Sequence, residues 1–171
     1  MKAGRAIILG IVGCVLVLGI VWVGGRLEHT DADLSALAAA VLFARADGLA
    51  WIGGFITQLV VGAIAGLVYA ACFEWVTERA GPLIGLAIGI PHAIVAGIII
   101  GLLPGQRMLD AAIAPPGAFY EYRGLWCVIA VVLAHLVFGT FVGALYGPTR
   151  HTYARSHRRW AEVQAEPLTL P

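Results

Sequence analysis

The sequence predicts an all-α polytopic membrane protein, and three observations carry that prediction. Of 171 residues, 60% are hydrophobic and 12% are charged, against roughly 45–50% and 25% in soluble domains. So many apolar residues exceed what one small core can bury, and most must face lipid. Four stretches run without a single charge for 18 residues or more, and glycine and proline punctuate their ends. The 11 basic and 10 acidic residues nearly cancel, which removes the basic field that nucleic-acid binding requires. The expected surroundings are a lipid bilayer and no nucleic acid.

Ala6 to Val23 is free of charge for 18 residues, about 27 Å of helix, just enough to cross a hydrocarbon core. Met1-Lys2-Ala3-Gly4-Arg5 has the basic start of a signal peptide. The apolar run is nevertheless longer than a usual h-region, and no small-x-small cleavage site follows promptly, so it reads as an uncleaved first helix over about 6–24. Thr30-Asp31-Ala32-Asp33 caps a short helix in which Leu34, Leu37, Val41 and Leu42 recur at helical spacing. Residues 32–46 are expected to lie on the outer membrane surface.

Leu49 to Phe73 gives 25 residues without a charge, Pro82 to Leu103 gives 22 and Gly124 to Gly147 gives 24. These predict helices over about 49–75, 82–103 and 124–147. Gly81-Pro82 supplies a stop and a start, and Leu103-Pro104-Gly105 and Gly147-Pro148 end helices because proline cannot donate into the ladder. Residues 1–148 thus form one four-helix transmembrane domain, and 149–171 form a polar tail with a basic half, Arg150, His151, Arg155, His157, Arg158 and Arg159. Those cations are expected to touch anionic headgroups, at about 1 kcal/mol per charge. A protein-docking tail is the rival reading.

With the N-terminus inside, the inner flanks hold Lys2, Arg5, Arg79, Arg150, Arg155, Arg158 and Arg159, and the outer flanks hold Arg26, Arg45, Arg107 and Arg123. Seven against four places both termini in the cytoplasm. Glu74, Trp75, Glu78 and Arg79 read as a solvated inner turn, with a Glu74–Arg79 pair at headgroup level as the alternative. In the second outer loop, Pro115-Pro116-Gly117 precedes Phe119, Tyr120, Tyr122 and Trp126, an aromatic cluster that fits an interfacial belt; substrate recognition is the alternative. Cys14, Cys72 and Cys127 fall at different depths and read as apolar packers without disulfides.

An offset of 77 aligns Gln58, Gly62, Gly66 and Tyr69 in the second span with His135, Gly139, Gly143 and Tyr146 in the fourth. The spacing sets a polar head, two glycines and a tyrosine along one helix stripe. The third span carries a related stripe in Gly81, Gly85, Gly89 and His92. Small residues four apart admit a close neighbour, which matters in lipid because no hydrophobic force holds helices together there. A duplicated hairpin with a pseudo-two-fold along the membrane normal is one explanation. Convergent packing is the other, because at the same offset the first span matches the third mainly in Gly24 against Gly101.

The stripe His135-xxx-Gly139-xxx-Gly143-xx-Tyr146 resembles the last helix of several uncharacterised families of small bacterial inner-membrane proteins. The resemblance implies no known activity. It implies a multi-pass protein of a bacterial inner membrane.

His92 lies ten residues into the third span from Pro82, and His135 eleven residues into the fourth from Gly124, so their depths match. Neighbouring antiparallel helices could then ligate one b-type haem through both imidazoles, with Gly89 and Gly139 leaving room. The structural alternative has each neutral histidine donating to a backbone carbonyl or to Gln58, with Pro91 freeing the carbonyl of Ala87 as an acceptor. A third reading makes Gln58, His92 and His135 the lining of a proton or small-solute path. No zinc, covalent-haem, hydrolase or nucleotide motif occurs, and the ten acids lie in loops, tails or helix ends. The leading expectation is a non-catalytic accessory subunit that packs against partner membrane proteins or its own copies.

Overall fold

The structure, a computed structural model, describes residues 1–29, 32–45, 48–103 and 115–154, together with the backbone of 106–107 and 112–113. Its helices are α1 (Ala3–Leu27), α2 (Leu34–Phe43), α3 (Gly48–Ala71), α4 (Pro82–Leu102) and α5 (Leu125–Tyr146). Four of them, all but α2, are long and apolar enough to span a bilayer. The chain is an all-α, multi-pass membrane protein. The backbones of Gln106–Arg107 and Ala112–Ile113 pair antiparallel between α4 and α5. Thr30 and Asp31 of the first predicted cap, the Pro104-Gly105 stop, and the tail cations Arg155, His157, Arg158 and Arg159 lie outside the described residues.

Lys2 donates its backbone N–H to the Tyr146 hydroxyl at 3.1 Å and its ammonium to the Pro148 carbonyl at 2.9 Å. The start of α1 and the end of α5 therefore share one face of the bundle, called here the terminal face. On the opposite face, Glu28 accepts the Trp126 N–H at 2.7 Å. A carboxylate at the first turn of α5 satisfies one of the amides that a helix start leaves without a partner, and it lies at the positive end of the helix dipole.

The capping residue of α2 is Asp33, whose Oδ1 accepts from Ser35 N at 2.8 Å and Ala36 N at 3.0 Å. Its Oδ2 accepts from the Trp51 indole at 2.7 Å. Rather than lying free on a surface, α2 docks on α3: Gly54 meets the backbone of Ser35 and Ala39, and the Gln58 amide donates to Leu34 O at 3.1 Å.

Glycines set the two closest helix pairs. In α1 and α3, a methyl group on Gly10 would run into the Gly62 carbonyl and the Gly66 Cα, and one on Gly66 would run into Ala6 O and Gly10. In α4 and α5, one on Gly85 would run into the Gly139 carbonyl and the Gly143 Cα, and one on Gly143 would run into Gly81 O and Gly85. The two pairs cross in the same way. Gly10 and Gly85 are 75 residues apart, whereas Gly62 and Gly139 are 77 apart. The glycine contact pattern therefore recurs in both helix pairs, and a two-residue difference between the connections hides α1 against α4 when one offset is used throughout.

The repeat is not packed symmetrically. α1 closes tightly on α5, with Gly13 beneath the Phe138 ring and Gly24 against Ala130 and the Trp126 backbone. The equivalent pair is α4 with α3, and there the glycines are replaced: Gly13 corresponds to Ile88 and Gly24 to Ile99. Isoleucine does not admit the close backbone approach that glycine allows. α3 and α4 stay splayed beside a cleft.

Candidate functional site

The cleft between α3 and α4 encloses about 420 Å³, within the roughly 300–1,000 Å³ typical of small-molecule sites. Val61 and Thr57 of α3 form one wall, Val95 and Ile99 of α4 the other, and Leu37 and Val41 of α2 the roof on the distal side. Cys14 and Val17 of α1 stand behind it. At its rim, Val61, Val95 and Ile99 are 53%, 54% and 55% exposed, so the mouth opens sideways, toward lipid. Among the described residues, no carboxylate, lysine or arginine lines it.

The polar groups gather where the cleft is deepest, at mid-helix. Gln58, His92 and His135, the three residues singled out from sequence as intramembrane polar groups, all line this one cavity. The two imidazoles meet edge to face, with centroids 4.7 Å apart and planes at 89°. His92 Nδ1 lies 3.2 Å from the Tyr69 hydroxyl. His135 Nδ1 donates to Val131 O at 2.7 Å. The histidine partners are thus a tyrosine and the carbonyl one turn back in the same helix, not Gln58 and not Ala87 O. A sequence cannot reveal the first, because it depends on where α3 and α4 meet.

These rings do not fit a bis-histidine haem. Such ligands bracket the macrocycle from opposite faces, whereas His92 and His135 touch directly and leave no gap for a porphyrin between them. The glycines reserved for that room, Gly89 and Gly139, are filled instead: Gly89 faces His135 O and the Leu136 Cα, and Gly139 faces the Gly85 backbone.

Below the histidines an aromatic column continues toward the terminal face. Phe138 packs on His92 at 5.5 Å and on Tyr69 at 5.3 Å, and Tyr69 packs on Phe73 at 6.1 Å. Phe73 in turn packs on Tyr146 at 5.3 Å. These four rings are essentially unexposed.

The column ends at a buried carboxylate that the sequence reading placed in a solvated turn. α3 continues through a π-helical turn, Cys72–Val76, and this wider turn brings Phe73 and Glu74 inside while Trp75 stays exposed. Glu74 is 1% exposed. It accepts from the Tyr146 hydroxyl at 2.9 Å and from Arg150 N at 3.1 Å, with the Arg150 Nε at 3.5 Å. Its partners are therefore Tyr146, Arg150 and, at 3.9 Å, the N-terminal ammonium of Met1, not Arg79.

On the distal face the aromatic loop also departs from expectation. Within the short helical segment Ala118–Arg123, Phe119 and Tyr120 have left-handed φ of 53° and 65°. That backbone folds Phe119 onto Gly97 and Ala118 onto Gly101 of α4, and Tyr120 is buried. Only Tyr122 and Trp126 of the cluster remain exposed, as a belt requires. Cys14, Cys72 and Cys127 are all free thiols, and Cys14 donates to Gln58 O at 3.0 Å.

The fold and the cleft together define a four-span membrane protein built from two unequal hairpins, with a lipid-facing cavity where the repeat fails to close. No protein-family model, curated protein or solved structure matches the chain.

Proposed function

We propose that this chain is a non-catalytic binding protein of the bilayer, one that takes in a neutral lipid-soluble molecule sideways between α3 and α4 and holds it against the midplane histidines. The observation that carries this reading is the cleft itself: apolar walls, a lateral mouth and a polar floor. Ligand sites of this composition pair an apolar lining with a few placed polar groups, and in membrane proteins with internal repeats they lie near the midplane between the repeats. We further propose a bacterial inner membrane, on the resemblance of the last helix, and cytoplasmic termini, on the seven-to-four division of Lys and Arg.

Two competing functions lose support. The glycine stripes are consumed inside the chain, Gly62 and Gly66 by α1, Gly139 and Gly143 by α4, so they do not argue for a protein partner. The column of Phe138, Tyr69, Phe73 and Tyr146 fills the terminal side of the cleft with packed rings, so the lining residues do not argue for a path across the membrane.

The test uses the purified chain in phosphatidylcholine vesicles with a photoactivatable long-chain hydrocarbon. Labelling is expected to concentrate on peptides covering 57–65 and 92–103. It should fall about tenfold in Ala96→Trp, which fills the cleft, with the unfolding midpoint unchanged. Labelling spread evenly over outward positions such as Ile52, Ile56 and Ile90, and indifferent to Ala96→Trp, would overturn the reading.

A further inference from the structure

The hydrogen bonds inside the cleft dictate what kind of head group a ligand carries. Cys14 donates its thiol proton to Gln58 O at 3.0 Å, and Thr57 its hydroxyl proton to Gly53 O at 2.9 Å. Gln58 commits an amide proton to Leu34 O at 3.1 Å. His135 commits Nδ1–H to Val131 O at 2.7 Å. In each case the acceptor is a backbone carbonyl, which cannot donate, so the direction of the bond is fixed.

For His135 this settles the tautomer. With the proton on Nδ1, a neutral ring presents Nε2 as a bare acceptor. The ring is neutral because it is 7% exposed and no carboxylate lines the cleft among the described residues; an imidazolium there would be a charge without a counter-ion. Among the described residues no side-chain or backbone donor reaches that nitrogen. The floor therefore offers one bare acceptor, His135 Nε2, beside the second amide N–H of Gln58. Because every buried side-chain nitrogen and oxygen among the described residues has a hydrogen-bond partner, the unpartnered Nε2 is open to the cleft, where a molecule that brings its own proton can bond to it.

Resting on the cleft reading above, we propose that the ligand is a hydroxyl-headed neutral lipid, a long-chain or isoprenoid alcohol or a reduced quinol, whose O–H donates to His135 Nε2 while its chain runs along Val61, Val95 and Ile99. A carboxylate or phosphate head is disfavoured, because the described lining offers it no cation. An ether, ester or quinone carbonyl only accepts and so cannot bond to His135 Nε2.

The experiment compares three diazirine-bearing sixteen-carbon probes in phosphatidylcholine nanodiscs: a primary alcohol, its methyl ether and the parent alkane. The alcohol should label the cleft about fivefold more strongly than the ether, the fold-change of one ordinary hydrogen bond. His135→Leu should bring alcohol labelling down to the ether level without changing alkane labelling, and His135→Gln, which restores an acceptor, should recover part of it. If His135→Leu does not fold, the alcohol-to-ether ratio on the unaltered protein decides alone. Equal labelling of the cleft by alcohol and ether overturns the head-group inference and leaves the cleft reading standing. Failure of all three probes to label the cleft overturns the cleft reading itself.

Discussion

Tyr146 donates its hydroxyl proton to Glu74 at 2.9 Å, while Tyr69, its counterpart in the other hairpin, meets His92 at 3.2 Å. One repeat position thus does two jobs. In the second hairpin it ties the end of α5 to the buried carboxylate on the terminal face; in the first it braces the cleft floor. The asymmetry follows from neighbours, because only α4 brings a histidine to the depth where α1 has Val17.

The Glu74 cluster should behave as a coupled unit. Tyr146→Phe is expected to lower stability by about 1 kcal/mol, and Glu74→Ala by about 1–3 kcal/mol, as hydrogen bonds to a charged acceptor do. Arg150 is 65% exposed, so solvent screens its share. Unfolding in mixed micelles, run as a double-mutant cycle, should give a coupling of at least about 0.5 kcal/mol. Strict additivity would show that the two side chains act independently.

Backbone contact at Gly85 should tolerate no side chain. Gly85→Ala pushes a methyl group into the Gly139 carbonyl, with an overpacking cost of about 1–3 kcal/mol. Gly19 has open space around it, and Gly19→Ala should be neutral or stabilise by up to about 1 kcal/mol through helix propensity. Thermal midpoints in detergent would expose the reverse order at once.

Asp33 should control α2. Asp33→Ala removes the cap from Ser35 and Ala36 and the acceptor for Trp51, at about 1 kcal/mol for the cap alone. Hydrogen exchange at the Ser35 and Ala36 amides should accelerate, and Asp33→Asn should restore most of the protection. Unchanged exchange in Asp33→Ala would mean that contact with α3 holds α2 without its cap.

Alkaline stability should depend on Tyr120. Burial first, and then the nearby Asp33 carboxylate, push its phenol above the usual range. A phenol whose folded-state value is raised favours the folded state fully below about pH 10, the unfolded value, and loses that contribution as pH climbs toward the folded value. Stability should fall above about pH 10, and Tyr120→Phe should flatten that part of the curve. A pH profile identical in the variant would assign the loss to other groups.

Much of the fold was legible in the residues because lipid imposes a simple rule: every span must be long, apolar and helical. The charge-free runs gave α1, α3, α4 and α5 to within a few residues, and Gly81-Pro82 marked the start of α4 precisely where proline is tolerated, at the first helical turn. The glycine stripe of α3 and α5 was visible for the same reason, since only small residues let helices touch in a bilayer. Gln58, His92 and His135 stood out because polar groups are rare at that depth, and they do share one cavity.

The rest needed the third dimension. Glu74 looked like a turn residue because nothing in its neighbourhood announces a π-helical turn or a tyrosine waiting 72 residues away. Phe119 and Tyr120 looked like belt residues because left-handed backbone at non-glycine positions leaves no mark in the sequence. The sequence by itself determined that lipid is the solvent and how many times it is crossed, since transfer free energy sums along the chain residue by residue. Which helices close and which stay apart was decided only by tertiary structure, because whether Gly13 meets Phe138 while Val61 and Val95 face each other across a cleft depends on the packing of groups far apart along the chain.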